Sequence, residues 1–240
     1  MIVYPAIDLR GGKVVRLREG DPNQQTLFSD DPVATAQSWI DQGATWLHMV
    51  NLDGAFDSES ANLSVLEKVA KLDVSVQYTG GLRELAALRQ ARDTGASRLV
   101  IGTLAVREPA RVEEAVALFG KDAICVALDA KDGKVVSHGW TESSAYTPIE
   151  LGALLYGHGA RHALYTDVRR DGGLFGANIE DTVALARATG LQVIASGGIS
   201  RLVEIEQLSR SGMVAGVIIG MALYKKRFTL TDALSAARCD

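Results

Sequence analysis

The chain repeats itself. Ala6-Ile7-Asp8, followed by Gly12-Lys13-Val14-Val15, returns as Ala127-Leu128-Asp129 followed by Gly133-Lys134-Val135-Val136, with every position displaced by 121 residues. Further on, Asp53-Gly54 is answered by Asp171-Gly172, Gly80-Gly81 by Gly197-Gly198 and Ile101-Gly102 by Ile219-Gly220, at displacements of 118, 117 and 118. Such a repeat constrains the fold more than any local propensity, because whatever unit one copy forms the other must form too. The sequence therefore reads as two related halves, about 1–120 and 121–240, within one domain.

Each half alternates short apolar runs with longer helical patterns, the signature of strand-helix units carrying parallel strands. The runs predict eight strands near residues 2–7, 46–51, 74–78, 98–101, 124–128, 162–166, 192–196 and 216–219. Helix-like stretches lie between them at 32–40, 82–91, 109–118, 148–156, 179–188 and 202–208, three of them opening on a proline, whose missing N–H is harmless in a first turn. Eight such units with right-handed crossovers close into a (β/α)8 barrel of two half-barrels, with a doubly wound open sheet as the alternative.

Composition narrows the setting. At 240 residues the chain buries roughly 70% or more of its unfolded surface, so its core needs neither disulfide nor metal. Twenty-five basic and 29 acidic side chains leave a net charge of −4, which disfavours a nucleic-acid-coating surface. The longest uncharged run, Ser211 to Tyr224, is 14 residues with three glycines, short of the about 18 that a membrane span requires. With no secretory signal at Met1-Ile2-Val3-Tyr4-Pro5 and only Cys125 and Cys239 as thiols, a reduced, cytoplasmic protein is expected.

In barrels of this kind chemistry gathers where the strands end, since the loops that follow converge on one mouth. Asp8 closes the first strand and Asp129 the fifth, which places them across the ring from each other. Two carboxylates whose surroundings separate their pKa values can act as base and acid at one pH. A lone Asp after a strand more often caps a turn. Two at matched strand ends, each in an apolar run, favour chemistry.

Gly80-Gly81 and Gly102-Thr103 follow the third and fourth strands, as Gly197-Gly198 and Gly220 follow the seventh and eighth. A diglycine alone signals only a tight turn, but four placements in register point to two opposed phosphate sites whose backbone N–H groups face an anion. A ligand with a phosphate at each end would span the mouth, its middle held between the aspartates. Arg10, Arg16, Arg18, Arg83, Arg169 and Arg170 are possible counter-charges, or solvated surface. Thr166 ends the sixth strand, Asp171-Gly172 follows it, and Trp140 lies in the fifth loop. Each reads equally as substrate contact or as ordinary strand, turn and packing residue. His48 falls within the second strand, while His138, His158 and His162 are scattered without ligand spacing, so no metal is assigned. Neither a P-loop nor a dinucleotide fingerprint is present.

Taken together, several motifs resemble the phosphoribosylformimino-5-aminoimidazole carboxamide ribotide isomerase family of histidine biosynthesis. They are Pro5 to Leu17 with Gly20-Asp21, Leu52-Asp53-Gly54-Ala55, Gly80-Gly81-Leu82-Arg83, Gly139-Trp140, Tyr165-Thr166-Asp167-Val168 with Asp171-Gly172, Ala195 to Ile199, and Gly220 with Ala222-Leu223-Tyr224. The resemblance implies an Amadori rearrangement of an aminoaldose to an aminoketose on a small molecule with two phosphates, without a cofactor. It implies Asp129 as general acid on the ribose ring oxygen, Asp8 as the base that takes the C2′ proton, Thr166 supporting the acid, and Trp140 near the substrate. Arg16, Arg83 and Asp171 are expected to bind substrate. Gly80, Gly81, Gly102, Thr103, Gly172, Gly197, Gly198 and Gly220 are expected to bind phosphate. A monomer with no nucleic-acid or membrane partner is expected. The sequence departs from the family at Thr79, where a third glycine is usual, at Asn51, where an acid is usual, and at Met221, where a basic residue is usual. The alternatives are a dual-substrate isomerase that also takes phosphoribosylanthranilate, and a non-catalytic phosphate-ligand-binding barrel. The sister cyclase of the same pathway is disfavoured because Ala6-Ile7-Asp8 stands where a Cys-Leu-Asp strand end is usual.

Overall fold

The computed structural model describes residues 1–56 and 62–238. Eight parallel strands, Ile2–Arg10, Trp46–Asn51, Ser75–Thr79, Arg98–Ile101, Ile124–Ala127, His162–Thr166, Gln192–Ser196 and Val214–Ile219, pair in sequence order. The first strand then pairs with the eighth, Ile2 with Gly216 through Pro5 with Ile219. This closing pair makes the sheet a barrel and rules out the open-sheet alternative.

A helix follows each strand on the outside. Six of them, Pro32–Asp41, Leu85–Asp93, Ala110–Phe119, Pro148–Gly157, Ile179–Thr189 and Leu202–Arg210, lie where the sequence pattern places them. Asn62–Val69 and Leu230–Ala236 complete the ring. Local chemistry sets several starts. Asp31 accepts from the Ala34 N–H ahead of Pro32, and Thr147 and Glu150 cap each other's backbone reciprocally before the helix from Pro148. Among the described residues no helix is long and apolar enough to cross a membrane.

Side chains alternate across a strand, and here the parity sorts the core into two. Val3, Ile7 and Leu9 of the first strand pack outward with the helices, whereas Tyr4 and Ala6 join Val100, Cys125, Ala127, Leu164, Ile194 and Ile218 inside the barrel. The next inward position after Tyr4 and Ala6 is Asp8, and after Cys125 and Ala127 it is Asp129. Both aspartates thus lie at the carboxyl-terminal mouth as the last rung of an otherwise apolar ladder.

Two antiparallel additions were not legible as strands in the sequence. The first strand runs on past Asp8 to Arg10, turns at Gly11-Gly12 and pairs back with Lys13–Arg18, which then pairs with Asp21–Ser29. After the fifth strand, Ala130–Lys131 turns at Asp132-Gly133 into Lys134–Ser137, which pairs with Glu142–Ser143. Both two-residue turns have positive φ at both centres, 56° and 74° in one and 54° and 77° in the other, the geometry that suits a tight hairpin.

Candidate functional site

A cavity of about 1150 Å³, counting its open mouth, occupies the carboxyl-terminal end of the barrel. Asp8, Arg16, Gly80, Gly81, Arg83, Gly102, Thr103, Asp129, Trp140, Thr166 and Asp171 all line it. A smaller recess shares Arg16 and Asp171 with it and is walled by Gly172, Gly197, Gly198 and Gly220. Every residue expected to act as catalyst or to bind substrate or phosphate therefore borders one of two adjoining spaces, whereas Arg10, Arg18, Arg169 and Arg170, named only as possible counter-charges, do not. Met221 lines the recess and Thr79 the main cavity, whereas Asn51 is spent on structure: its side chain caps the turn at Gly54 and binds Asn62.

The two aspartates reach similar proton affinities by different means. Asp8 is buried and bonded to Arg16, with Nη1 2.7 Å from Oδ1. Burial nevertheless pushes its pKa up to about 6, against the pull of the Arg16 charge and helped by Asp171. Asp129 has no arginine. Its Oδ2 accepts from the Trp140 indole N–H at 2.8 Å, while Oδ1 is buried without a well-formed hydrogen bond. Burial lifts its pKa to about 6 as well, moderated by hydrogen bonding from Thr166 and Trp140. Burial also raises the pKa of Asp171, with Arg16 acting in the opposite direction. Three carboxylates thus crowd one mouth, two of them poised near neutrality, as acid-base chemistry requires.

Arg16 comes from the hairpin rather than from a barrel strand. It is almost fully buried, touches Asp8 and reaches the Gly220 turn, where a Cβ at Gly220 would lie 2.2 Å from its Nη2. Only glycine leaves that space for the guanidinium. Among the other arginines considered, Arg83 lines the cavity and donates to the Ala55 carbonyl, whereas Arg10 ties down the hairpin through Pro22 and Gln25. Arg169 pairs with Asp132, Arg170 with Asp167, and Arg18 stays near Glu19 at the surface. Of the six arginines, the two expected to bind substrate, Arg16 and Arg83, are the two that line the cavity.

The glycine turns match in backbone. Gly80 and Gly81 have φ of 98° and 80°, Gly197 and Gly198 of 87° and 80°. A side chain at Gly80 would strike the Asn51 carbonyl at 2.1 Å and one at Gly197 the Asp167 carbonyl at 2.7 Å, so these positions need glycine even without a ligand. Gly102 and Gly220 precede the short helices Thr103–Arg107 and Met221–Tyr224 with φ/ψ of −101°/−84° and −106°/−96°.

The fifth loop crosses the mouth in an unusual conformation. His138, Gly139 and Trp140 have φ of 54°, 62° and 67°, three successive left-handed residues of which two carry side chains. Such residues are held against about 1–3 kcal/mol each and persist where the surroundings over-determine them. Here the His138 N–H donates to Thr103 Oγ1, Gly139 lies against Phe56, and the Trp140 ring lies over Gly20. The strained turn aims the indole at Asp129, a role that the sequence, which marks Trp140 as a substrate contact or a packing residue, does not specify. Phe56, Leu17, Gly20, Ser137, His138, Ser196 and His48 also line the cavity and were not singled out as site residues. Inward parity on each strand would have found His48 and Ser196.

Fold and cavity define a class: a (β/α)8 barrel with a cavity at its carboxyl-terminal mouth, lined by opposed carboxylates and glycine turns. A family model described as histidine biosynthesis protein matches residues 2–229. The chain is 44% identical to a protein of Hahella chejuensis over 97% of both chains. It is 41% identical to one of Methanothermococcus thermolithotrophicus, over 99% of this chain and 100% of the relative, and 44% identical to one of Burkholderia lata, over 93% and 91%. All three relatives carry the name 1-(5-phosphoribosyl)-5-((5-phosphoribosylamino)methylideneamino) imidazole-4-carboxamide isomerase. The chain belongs to the histidine biosynthesis protein family.

Proposed function

We propose that the protein is the isomerase that its relatives are named for, converting the phosphoribosylformimino aminoaldose to its aminoketose. The observation that carries this reading is the pair Asp8 and Asp129, inward at opposite strand ends, both with pKa near 6 yet with different partners. The Arg16 ion pair favours an ionised Asp8, whereas Asp129 is held by the neutral donors Trp140 and Thr166, which suits the carboxylic acid that gives up a proton. Asp129 gives its proton to the ribose ring oxygen as the C1′–O bond breaks and the amine lone pair forms the C=N bond. Asp8 takes the C2′ proton, and the C2′–H electrons form the enolamine, which tautomerises to the ketose. Oxidation at C2′ balances reduction at C1′ within one molecule, so the reaction calls for no external electron carrier. Thr166 supports the acid through its hydroxyl, and Trp140 holds it through the indole N–H.

The substrate's two phosphates suit the two glycine-walled ends of the site. Gly172, Gly197, Gly198 and Gly220 with Arg16 form one, and Gly80, Gly81, Gly102, Thr103 with Arg83 the other. Asp171, like Arg16, lines both the main cavity and the recess, in reach of the same ligand. The two ends belong to two related half-barrels, and the enzyme works as a cytoplasmic monomer.

The test is a steady-state assay of purified protein on the formimino ribotide, coupled to the next enzyme, with phosphoribosylanthranilate in parallel. Turnover of the first substrate alone is expected. Turnover of both would make the enzyme dual-function. Tight binding of a diphosphate ligand without turnover of either would leave a binding barrel and overturn the proposed chemistry.

A further inference from the structure

Beneath the mouth, three polar side chains occupy neighbouring register positions inside the barrel. His48 of the second strand pairs with Gln77 of the third, and Gln77 with Arg98 of the fourth. All three are buried, Gln77 completely. Because barrel strands tilt, a row that runs sideways through the register also descends. It starts at His48, which lines the ligand cavity, and ends at Arg98 beside Tyr4, Trp46 and His162.

The hydrogen bonds along this row have a fixed direction. A guanidinium offers only donors, so the Gln77 oxygen must face Arg98, whose Nη1 lies 3.4 Å away. Arg98 cannot turn away, because its Nε donates to the Asp122 carbonyl, Nη1 also donates to the Tyr4 hydroxyl, and its guanidinium lies over the Trp46 ring at 4.7 Å. The Gln77 amide nitrogen is therefore directed at His48 Nδ1, 3.0 Å away, and that nitrogen must accept. A neutral imidazole that accepts at Nδ1 carries its proton on Nε2. Burial and the nearby Arg16 charge hold His48 neutral, with its pKa pushed down to about 3.

We infer that Gln77, itself oriented by Arg98, is a positioning residue that locks His48 as the Nε2–H tautomer, so that the imidazole presents a neutral donor to an oxygen of the ligand held between Asp8 and Asp129. The tautomer lock stands independently of the reaction; only the donor's use rests on the proposed isomerase function. An uncharged donor suits this position, since an imidazolium would draw charge from the nearby carboxylates and depress the very pKa values the chemistry uses.

Histidine-selective 15N labelling and two-bond proton-nitrogen correlation spectra read the tautomer directly. The chain has four histidines, and His48→Gln identifies the signals of interest by their loss. In the wild type the spectra are expected to show an unprotonated Nδ1 and a protonated Nε2 through neutral pH. In Gln77→Glu one carboxylate oxygen faces Arg98 and the other faces His48, where it can only accept. The proton is then expected on Nδ1, with kcat reduced about tenfold, KM within about twofold, and the fold intact by circular dichroism. Arg98→Lys, which keeps a donor-only group, is expected to retain the wild-type pattern.

A wild-type His48 protonated on Nδ1 would overturn the inference, whether or not the variants fold. So would a Gln77→Glu protein that keeps Nε2–H, or one that switches tautomer with kcat unchanged. Absence of wild-type turnover, with the Nε2–H tautomer present, would instead sink the proposed reaction and leave the lock standing.

Discussion

The two halves of the barrel agree at the mouth and differ beneath it. At the top, Asp8 answers Asp129, Gly80-Gly81 answer Gly197-Gly198 with nearly the same φ values, and Gly102 answers Gly220 in the same backbone conformation. One layer down, the register that lines up His48, Gln77 and Arg98 in one half lines up Leu164, Ile194 and Gly216 in the other. The polar row of one half has no counterpart in the other. Gly216 instead leaves room for the Tyr4 ring, since a Cβ there would meet Tyr4 Cε2 at 2.6 Å, and the Tyr4 hydroxyl is what Arg98 holds. The lesson is that equivalent carboxylates are tuned by unlike supports: an ion pair for Asp8, and neutral donors for Asp129.

The comparison breaks most sharply at the aspartates. Asp8→Asn should reduce kcat by about 10³-fold while a diphosphate ligand still binds, and Asp129→Asn should do so at the ring-opening step. Single-turnover and binding measurements separate the two effects, and near-normal rates in either variant would remove its assigned role. The matched glycines should then behave differently. Gly220→Ala drives a methyl into Arg16 and should weaken affinity for the phosphate-bearing ligand about tenfold, whereas Gly102→Ala meets only Ala127 Cβ at 3.6 Å and should change it less than about twofold, as titration calorimetry would show. Equal losses would mean that Arg16 does not distinguish the two ends.

The pH dependence tests both carboxylates at once. Catalysis needs Asp8 ionised and Asp129 protonated, and with both near 6 that combination peaks near pH 6 in the free enzyme, so kcat/KM should be bell-shaped about that value. Stability carries the same information with opposite sense to an ordinary salt bridge. The folded pKa of Asp129 lies above its unfolded value of 3.8, so the folded state holds the proton more tightly between about pH 4 and 6 and loses stability as pH rises through that window. Asp129→Asn lacks the ionisation. It should therefore exceed the wild type by about 2 kcal/mol at pH 7 and match it near pH 4 in thermal or denaturant unfolding. The smallest effect is expected for Trp140→Phe, which removes only the indole donor, raises the Asp129 pKa and shifts the alkaline limb of the rate profile upward, with kcat changed only a few-fold.

Much of this architecture was legible beforehand, for physical reasons. All eight strands are short apolar runs, and burial on both faces is what makes a parallel strand readable. The aspartates stood out because each ends such a run. What stayed hidden depends on geometry rather than composition. The strand Asp21–Ser29 is mostly exposed and polar, so no periodicity marks it, and without that hairpin the ion pair of Arg16 with Asp8 could not be read, although the resemblance marked Arg16 as a substrate contact. Helix Asn62–Val69 is only eight residues long and opens on no proline, and the row from His48 to Arg98 exists only once register and tilt bring three separate strands side by side.

The seam of the barrel has a consequence for how the protein is made. Tyr224 donates to the Ala6 carbonyl across 218 positions, the first strand pairs with the eighth, and Arg16 rests in the Gly220 turn. A chain emerging from the ribosome therefore presents Asp8 and Arg16 about 200 residues before its eighth strand, and cannot complete the recess around Arg16 until that strand has been translated. Until then the first and the newest strands each keep one unpaired edge. The recess that holds Arg16 is thus conferred by the eighth strand and the turn that follows it.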